Sequence, residues 1–148
     1  MKATSSVVVL CLILFAITTV TGTPPTAPDA KIERGKYLVE RVGMCGDCHT
    51  PHNEKGEPIR EKWLQGSSLS FKPVVPIPVW ADKTPNIAGL PGWEEKEAIK
   101  FLMTGIAYNE LPGRPPMPQY RFNHEDASAI VAYLRSFASS DAGTQSKK

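Results

Sequence analysis

Residues 45–49 read Cys45-Gly46-Asp47-Cys48-His49. Two thiols three positions apart, followed at once by an imidazole, form the C-x-x-C-H pattern. Each residue type has a use there. The thiols can reach two vinyl groups on one edge of a porphyrin and fix it through thioethers, while His49 is carried beneath the iron as its proximal axial ligand. One such pattern implies one covalently bound haem c. Other uses of the same residues fit less well. A thioredoxin-like dithiol wants a βαβ setting, which the surrounding pattern lacks. A Cys-Cys-His zinc site lacks a clear fourth ligand, and a plain disulfide has no use for the histidine.

An iron held by His49 has a sixth position, which methionine, histidine or no protein group can occupy. Met44 abuts Cys45 and cannot reach the far haem face, and His52 is too close to His49 to cross. Met103 sits between Leu102 and Thr104 on an expected helix, where methionine is ordinary core filling. Met117 differs, because it stands in Pro115-Pro116-Met117-Pro118. Prolines fix φ near about −65° and remove N–H donors, so the segment is a stiff loop able to present a thioether. His124 reads as a solvent-facing residue of a first helical turn, with bis-histidine ligation through it as the competing arrangement. Met117 is therefore the leading candidate for the distal ligand, with Met103 and His124 left open. Trp63, Trp80, Arg60 and Arg114 are candidates for the haem propionates. Packing is the plainer reading of the indoles, and solvated charge of the arginines.

Upstream of the motif, Asp29 suits an N-cap for a helix running to about Gly43. Its face reads Ile32, Gly35, Leu38, Val39 and Val42, at spacings of three and four. Glycine within such a stripe costs helix propensity, and close approach of another backbone is the usual compensation. Downstream, residues 50–92 carry Pro51, Pro58, Pro73, Pro76, Pro78, Pro85 and Pro91, a density that no strand ladder tolerates. An irregular stretch of that length needs something else to organise it, and a large buried cofactor would serve. A second helix is expected from near Trp93 to Gly105, burying Ala98, Ile99, Phe101 and Leu102. Asn123 caps a third, whose stripe is Ala127, Ile130, Val131, Leu134 and Phe137, with Glu125 and Asp126 in the first turn. The expected class is all-α: three or more short helices wrapped around one haem, with long Pro-rich loops.

The chain has 148 residues, enough for one domain. It opens with Lys2, an apolar run from Val7 to Ile17, and small residues up to Gly22, the pattern of a secretory signal peptide. The run is short for a membrane span, which needs about 20 apolar residues. Membrane attachment is expected only if this segment stays uncleaved. Cys11 lies inside the run rather than after it, which is the wrong place for a lipid-bearing cysteine. The expected organisation is a signal peptide over 1–22, a flexible linker over 23–29, the haem domain over 30–138 and a polar tail over 139–148, with the product exported to the periplasm. Of three cysteines, only Cys45 and Cys48 remain after cleavage, so no disulfide framework is possible. Lys and Arg number 17 against 15 Asp and Glu, a net +2, which gives no electrostatic case for nucleic acid. No nucleophile–base pair or carboxylate dyad marks a substrate site.

These features together resemble a monohaem class I cytochrome c. The resemblance rests on Gly35 in the first helix, Cys45-Gly46-Asp47-Cys48-His49, Pro115-Pro116-Met117-Pro118 and Ala132-Tyr133-Leu134-Arg135-Ser136 in the last helix. It is similar in particular to the small cytochromes and cytochrome domains that accompany bacterial periplasmic dehydrogenases, through Thr84-Pro85-Asn86-Ile87-Ala88-Gly89, Gly92-Trp93, Leu102-Met103-Thr104-Gly105 and the Met117 loop. It covers about Glu33 to Phe137. What it implies is an all-α fold whose first and last helices cross at Gly35 and Tyr133, with His49 and Met117 as axial ligands. It also implies electron transfer rather than catalysis, between redox partner proteins: a dehydrogenase as donor and an oxidase or another cytochrome as acceptor. A haem enzyme or gas-binding protein with an open sixth position is the alternative. One departure stands out: many such domains carry Asn-x-Thr-Pro, whereas here Thr84-Pro85 precedes Asn86. The family also backs the proximal histidine with a backbone carbonyl, for which Pro58 is the expected residue.

Overall fold

The computed structural model describes residues 26–144, with side chains through residue 138. The expected signal peptide and the first residues of the linker lie outside that range. Helix α1 spans Ala27–Tyr37 and is followed without a break by a π-helical turn, Leu38–Val42. Helix α2, Cys45–His49, is the thiol-bearing motif itself. Helix α3 spans Glu95–Thr104 and α4 spans His124–Thr144. Between α2 and α3 the described chain is irregular. It contains one 3₁₀ turn, Arg60–Lys62, and two short strands, β1 (Ser67–Ser68) and β2 (Lys83–Thr84). The strands pair antiparallel with Ser67 opposite Thr84. The fold is the all-α one expected.

Local sequence accounts for the helix ends. Thr26, not Asp29, is the N-cap of α1: its hydroxyl accepts from the Asp29 N–H at 3.4 Å and donates to the Asp29 carboxylate at 2.6 Å. Pro28 occupies the first turn, where its missing N–H is not needed, so the helix starts at Ala27 and Asp29 falls inside it. The stripe on α1 also ends sooner than expected. Leu38 and Val39 are buried, but Val42 is 48 % exposed. The π turn, closed by Gly43 N–H on Leu38 O at 2.7 Å, inserts an extra residue and turns Val42 off the buried face. Helix α3 begins two positions after Trp93 because Glu94 and Glu97 form a capping box. Asn123 caps α4 as expected, its side-chain oxygen accepting from Asp126 N–H at 2.8 Å. The α4 helix continues to Thr144, into the segment read from sequence as a tail.

The core forms where α1 and its π turn cross α4, with α3 packed on α4 and Leu64 entering from the irregular segment. Leu64, Ile130, Val39 and Val131 are its largest fully buried apolar side chains. Gly35 is buried at the crossing. A Cβ built there would lie 2.6 Å from the carbonyl carbon of Ala129 and 2.8 Å from Tyr133 Cβ. The crossing expected at Gly35 and Tyr133 is therefore present. Tyr133 locks it, donating its hydroxyl to Glu40 at 2.7 Å. Burial pushes the Tyr133 phenol well above its usual range, the bond to Glu40 adds to the shift, and the Trp63 indole on the same hydroxyl opposes it. A part-buried bond to a carboxylate contributes about 1.5–3 kcal/mol. Tyr133→Phe is expected to lower stability by about 2 kcal/mol on that basis. Thermal unfolding of the haem-loaded protein checks this, and an unchanged melting temperature would refute it.

Candidate haem-binding site

Helix α2 puts the three donor groups of the motif on a single helical turn and a half. Cys45 and Cys48 are free, half-buried thiols, and His49 is 5 % exposed. The turn is entered through Met44, which adopts the left-handed conformation at φ 46° and ψ 41°. Gly46 is required by its neighbour: a Cβ there would meet the six-membered ring of Trp63, with Cζ3 at 2.6 Å. The indole is thus wedged under the motif, with Arg60 over its ring at 4.9 Å from the centroid.

His49 is oriented by a residue far away in sequence. Its Nδ1 lies 2.9 Å from the carbonyl oxygen of Pro85. A carbonyl only accepts, so Nδ1 carries the proton and Nε2 keeps its lone pair. Burial holds the His49 pKa below its ordinary value, partly offset by the Pro85 bond, so the ring is neutral, as metal ligation requires. Pro85, rather than Pro58, supplies this carbonyl. The 51–59 loop closes on itself through Ile59 N–H to Pro51 O at 2.8 Å and Asn53 N–H to Glu57 O at 2.9 Å, and Pro58 pairs with His52 instead.

Thr84 completes the support. Its hydroxyl donates to Cys48 O at 2.7 Å and accepts from Ser67 N–H at 2.9 Å. Gly66 N–H binds His49 O at 2.7 Å. The end of α2 is therefore held by the β1–β2 pair, which gives the Thr84-Pro85 dipeptide its role despite the departure in the residues around it. Sequence reasoning singled out Thr84-Pro85 without assigning it a contact, and missed Trp63 as the neighbour of Gly46.

The electrostatics of the thiols run opposite to those of a redox dithiol. Burial raises the Cys45 pKa to about 11, and burial followed by the Asp47 charge raises that of Cys48. Catalytic dithiols need the opposite shift. Among the described residues no cluster of three or more His, Cys, Asp or Glu could hold a metal ion. Two neutral thiols beside a neutral, oriented imidazole are a donor set that fits covalent haem. Cys45 and Cys48 would hold it through thioethers, and His49 Nε2 would ligate its iron.

Met117 lies in a half-buried bend of the Pro-rich loop. A methyl group at Gly113 would touch Met117 Cγ at 3.7 Å and Phe101 Cζ at 3.0 Å. The loop is tied to the 79–81 strand of chain by Arg114, whose Nε and Nη2 donate to Val79 O at 3.0 Å and Trp80 O at 2.7 Å. Trp80 Nε1 is buried and has no hydrogen-bond partner among the described residues. Met103 packs against the core and His124 is exposed at the start of α4, which agrees with core filling for the first and a surface role for the second. Tyr120, three residues beyond Met117, reaches back to the motif: its hydroxyl donates to Gly43 O at 2.6 Å. Burial pushes the Tyr120 phenol up to about 12, with the Cys45 and Cys48 thiols adding to the shift.

Comparison with known proteins agrees with this geometry. The cytochrome c family model matches residues 32–138. The chain is 34 % identical over 125 residues to the cytochrome c subunit of alcohol dehydrogenase (quinone) from Gluconacetobacter polyoxogenes, a match covering 77 % of this chain and 26 % of that protein. It is 30 % identical over 113 residues to the fructose dehydrogenase cytochrome subunit of Gluconobacter japonicus, covering 70 % and 21 %. It is 33 % identical over 109 residues to a diheme cytochrome c-type protein of Cereibacter sphaeroides, covering 70 % and 34 %. The chain thus spans between about a fifth and a third of the length of these relatives. The chain belongs to the cytochrome c family.

Proposed function

We propose that this member of the cytochrome c family is an exported, monohaem electron carrier with His49 and Met117 as axial ligands, serving a dehydrogenase in a respiratory chain. The observation that carries the reading is the 2.9 Å bond between His49 Nδ1 and Pro85 O. It fixes the tautomer and the ring plane together, and it leaves Nε2 as the ligating atom. Haem c supplies a one-electron iron couple. The chain's residues do the rest. Cys45 and Cys48 anchor the group on the same turn that carries His49, so no side-chain search is needed to place the imidazole. Met117 fills the sixth position from a proline-stiffened loop, which excludes peroxide and dioxygen and limits rearrangement between redox states. The relatives, cytochrome subunits of fructose, gluconate and alcohol dehydrogenases, support a dehydrogenase as the donor. The single C-x-x-C-H supports one haem. The amino-terminal pattern supports export to the periplasm, and among the described residues no helix is long and apolar enough to cross a membrane.

Covalent attachment gives the direct test. Haem-peroxidase stain is expected to follow the protein band on a denaturing gel, because thioethers survive unfolding. Cys45→Ala or Cys48→Ala is expected to remove most of the stain, and the double variant all of it. Haem that leaves wild-type protein on denaturation would overturn the reading.

A further inference from the structure

The segment carrying Met117 is fixed on both sides by hydrogen bonds to different parts of the chain. Upstream, Arg114 holds Val79 and Trp80, and Pro115 O accepts from Ala81 N–H at 2.8 Å. Downstream, Tyr120 holds Gly43 at 2.6 Å. The two sides are not equivalent. Residues 79–81 bear none of the expected iron ligands or thioether cysteines, whereas Gly43 closes the π turn and stands two residues before Cys45. A Cβ at Gly43 would lie 3.3 Å from Cys45 Sγ and 3.6 Å from the Tyr120 hydroxyl oxygen. The Tyr120 hydroxyl therefore sits where the chain turns into the motif. Its ring is held independently by stacking on Phe122, with centroids 5.0 Å apart and planes at 26°. The stack positions the ring, and the hydroxyl adds one bond between the two ligand-bearing segments.

We propose that Tyr120 is a positioning residue, whose hydroxyl bond to Gly43 sets the distance between the Met117 segment and the Cys45–His49 turn and so sets how often Met117 leaves the iron. The inference rests on the reading of Met117 as distal ligand. Met117 and Tyr120 are joined by a short, proline-stiffened stretch, so movement of Met117 away from the iron strains the Tyr120 bond, and loss of that bond frees the movement. A typical net hydrogen bond corresponds to a change of about five-fold in such an equilibrium.

The test is carbon monoxide binding to the reduced, haem-loaded protein, followed by stopped flow, since the gas binds only when the sixth position opens. Tyr120→Phe keeps the ring and its stack and removes the hydroxyl alone. It is expected to retain covalent haem and to bind carbon monoxide about five-fold faster than wild type, while Met117→Ala binds faster still. Tyr133→Phe, which removes a comparable hydroxyl bond at the helix crossing, is expected to leave the rate at the wild-type value. A wild-type rate for Tyr120→Phe beside a fast Met117→Ala would overturn the role of Tyr120 while leaving the ligand assignment standing. An equal acceleration in Tyr133→Phe would overturn it too, by showing general loosening. A Met117→Ala protein no faster than wild type would overturn the ligand assignment and the inference with it.

Discussion

Gly35→Leu is expected to prevent most of the protein from maturing, and to unfold at markedly lower temperature whatever fraction does. The reason lies at the crossing of α1 and α4. The first atom of any side chain at this position already falls 2.6 Å from the Ala129 carbonyl carbon and 2.8 Å from Tyr133 Cβ. The obstructing atoms are helical backbone and the root of a side chain, neither of which can rotate aside. Relief requires the two helices to separate. Separation would unpack Val39, Ile130 and Val131, all fully buried, and stretch the Tyr133–Glu40 bond. Overpacking a core costs about 1–3 kcal/mol and occasionally more, and here a whole isobutyl group follows the offending methylene. For a domain of this size each kcal/mol lowers the melting temperature by about 4 °C, so a fall of at least that amount is expected. Gly35→Ala should show a smaller fall in the same direction. A Gly35→Leu protein that loads haem and melts like wild type would mean that the helices do not cross here.

Met117→Ala is expected to have the largest effect on function. The far-red absorption band that reports sulfur–iron ligation should vanish, and the ferrous protein should bind carbon monoxide readily. A neutral thioether favours ferrous iron, so the potential should fall, by on the order of 0.1–0.3 V within the ~0.8 V that axial ligands span. Peroxidase side activity should rise, since peroxide gains a place to bind. Fold and covalent attachment should survive, because Met117 is only half-buried and the loop keeps its bonds through Arg114 and Tyr120. Met103→Ala and His124→Ala are the matched controls. The first removes a core contact and should cost stability without changing the spectrum. The second removes an exposed side chain and should change neither. A Met117→Ala protein with wild-type spectrum and potential would pass the assignment to another residue, with His124 next.

Much of this protein was legible from the order of its residues because the decisive groups are neighbours in the chain. Cys45, Cys48 and His49 occupy one short helix, so their spacing alone defines the chemistry they can perform together. Helices α3 and α4 announce themselves through caps and apolar periodicity. Gly35 could be assigned to a helix crossing because a glycine amid Ile32, Leu38 and Val39 has little other use. Even the first helix, though, departs from expectation at its cap and in the facing of Val42, while its end at Gly43 is as expected. Pro28 sits comfortably in a first turn, so Asp29 was one turn too late as a cap, and the π turn before Gly43 leaves no periodic signal that distinguishes it from α-helix.

What tertiary structure decided is everything that reaches His49 and Met117 across the irregular segments. The carbonyl behind His49 comes from Pro85, 36 positions away, and any carbonyl in residues 50–92 was chemically eligible. Only the closure of the 51–59 loop on itself and the β1–β2 pairing select Pro85 over Pro58. Gly46 is fixed by an indole that its own sequence context never mentions, and Tyr120 finds Gly43 across 77 positions. Helical periodicity encodes which face of a segment is buried, because the repeat is a property of that segment alone. A hydrogen bond between two loops is a property of two distant backbones brought together by the packing of the rest, and no local repeat carries it.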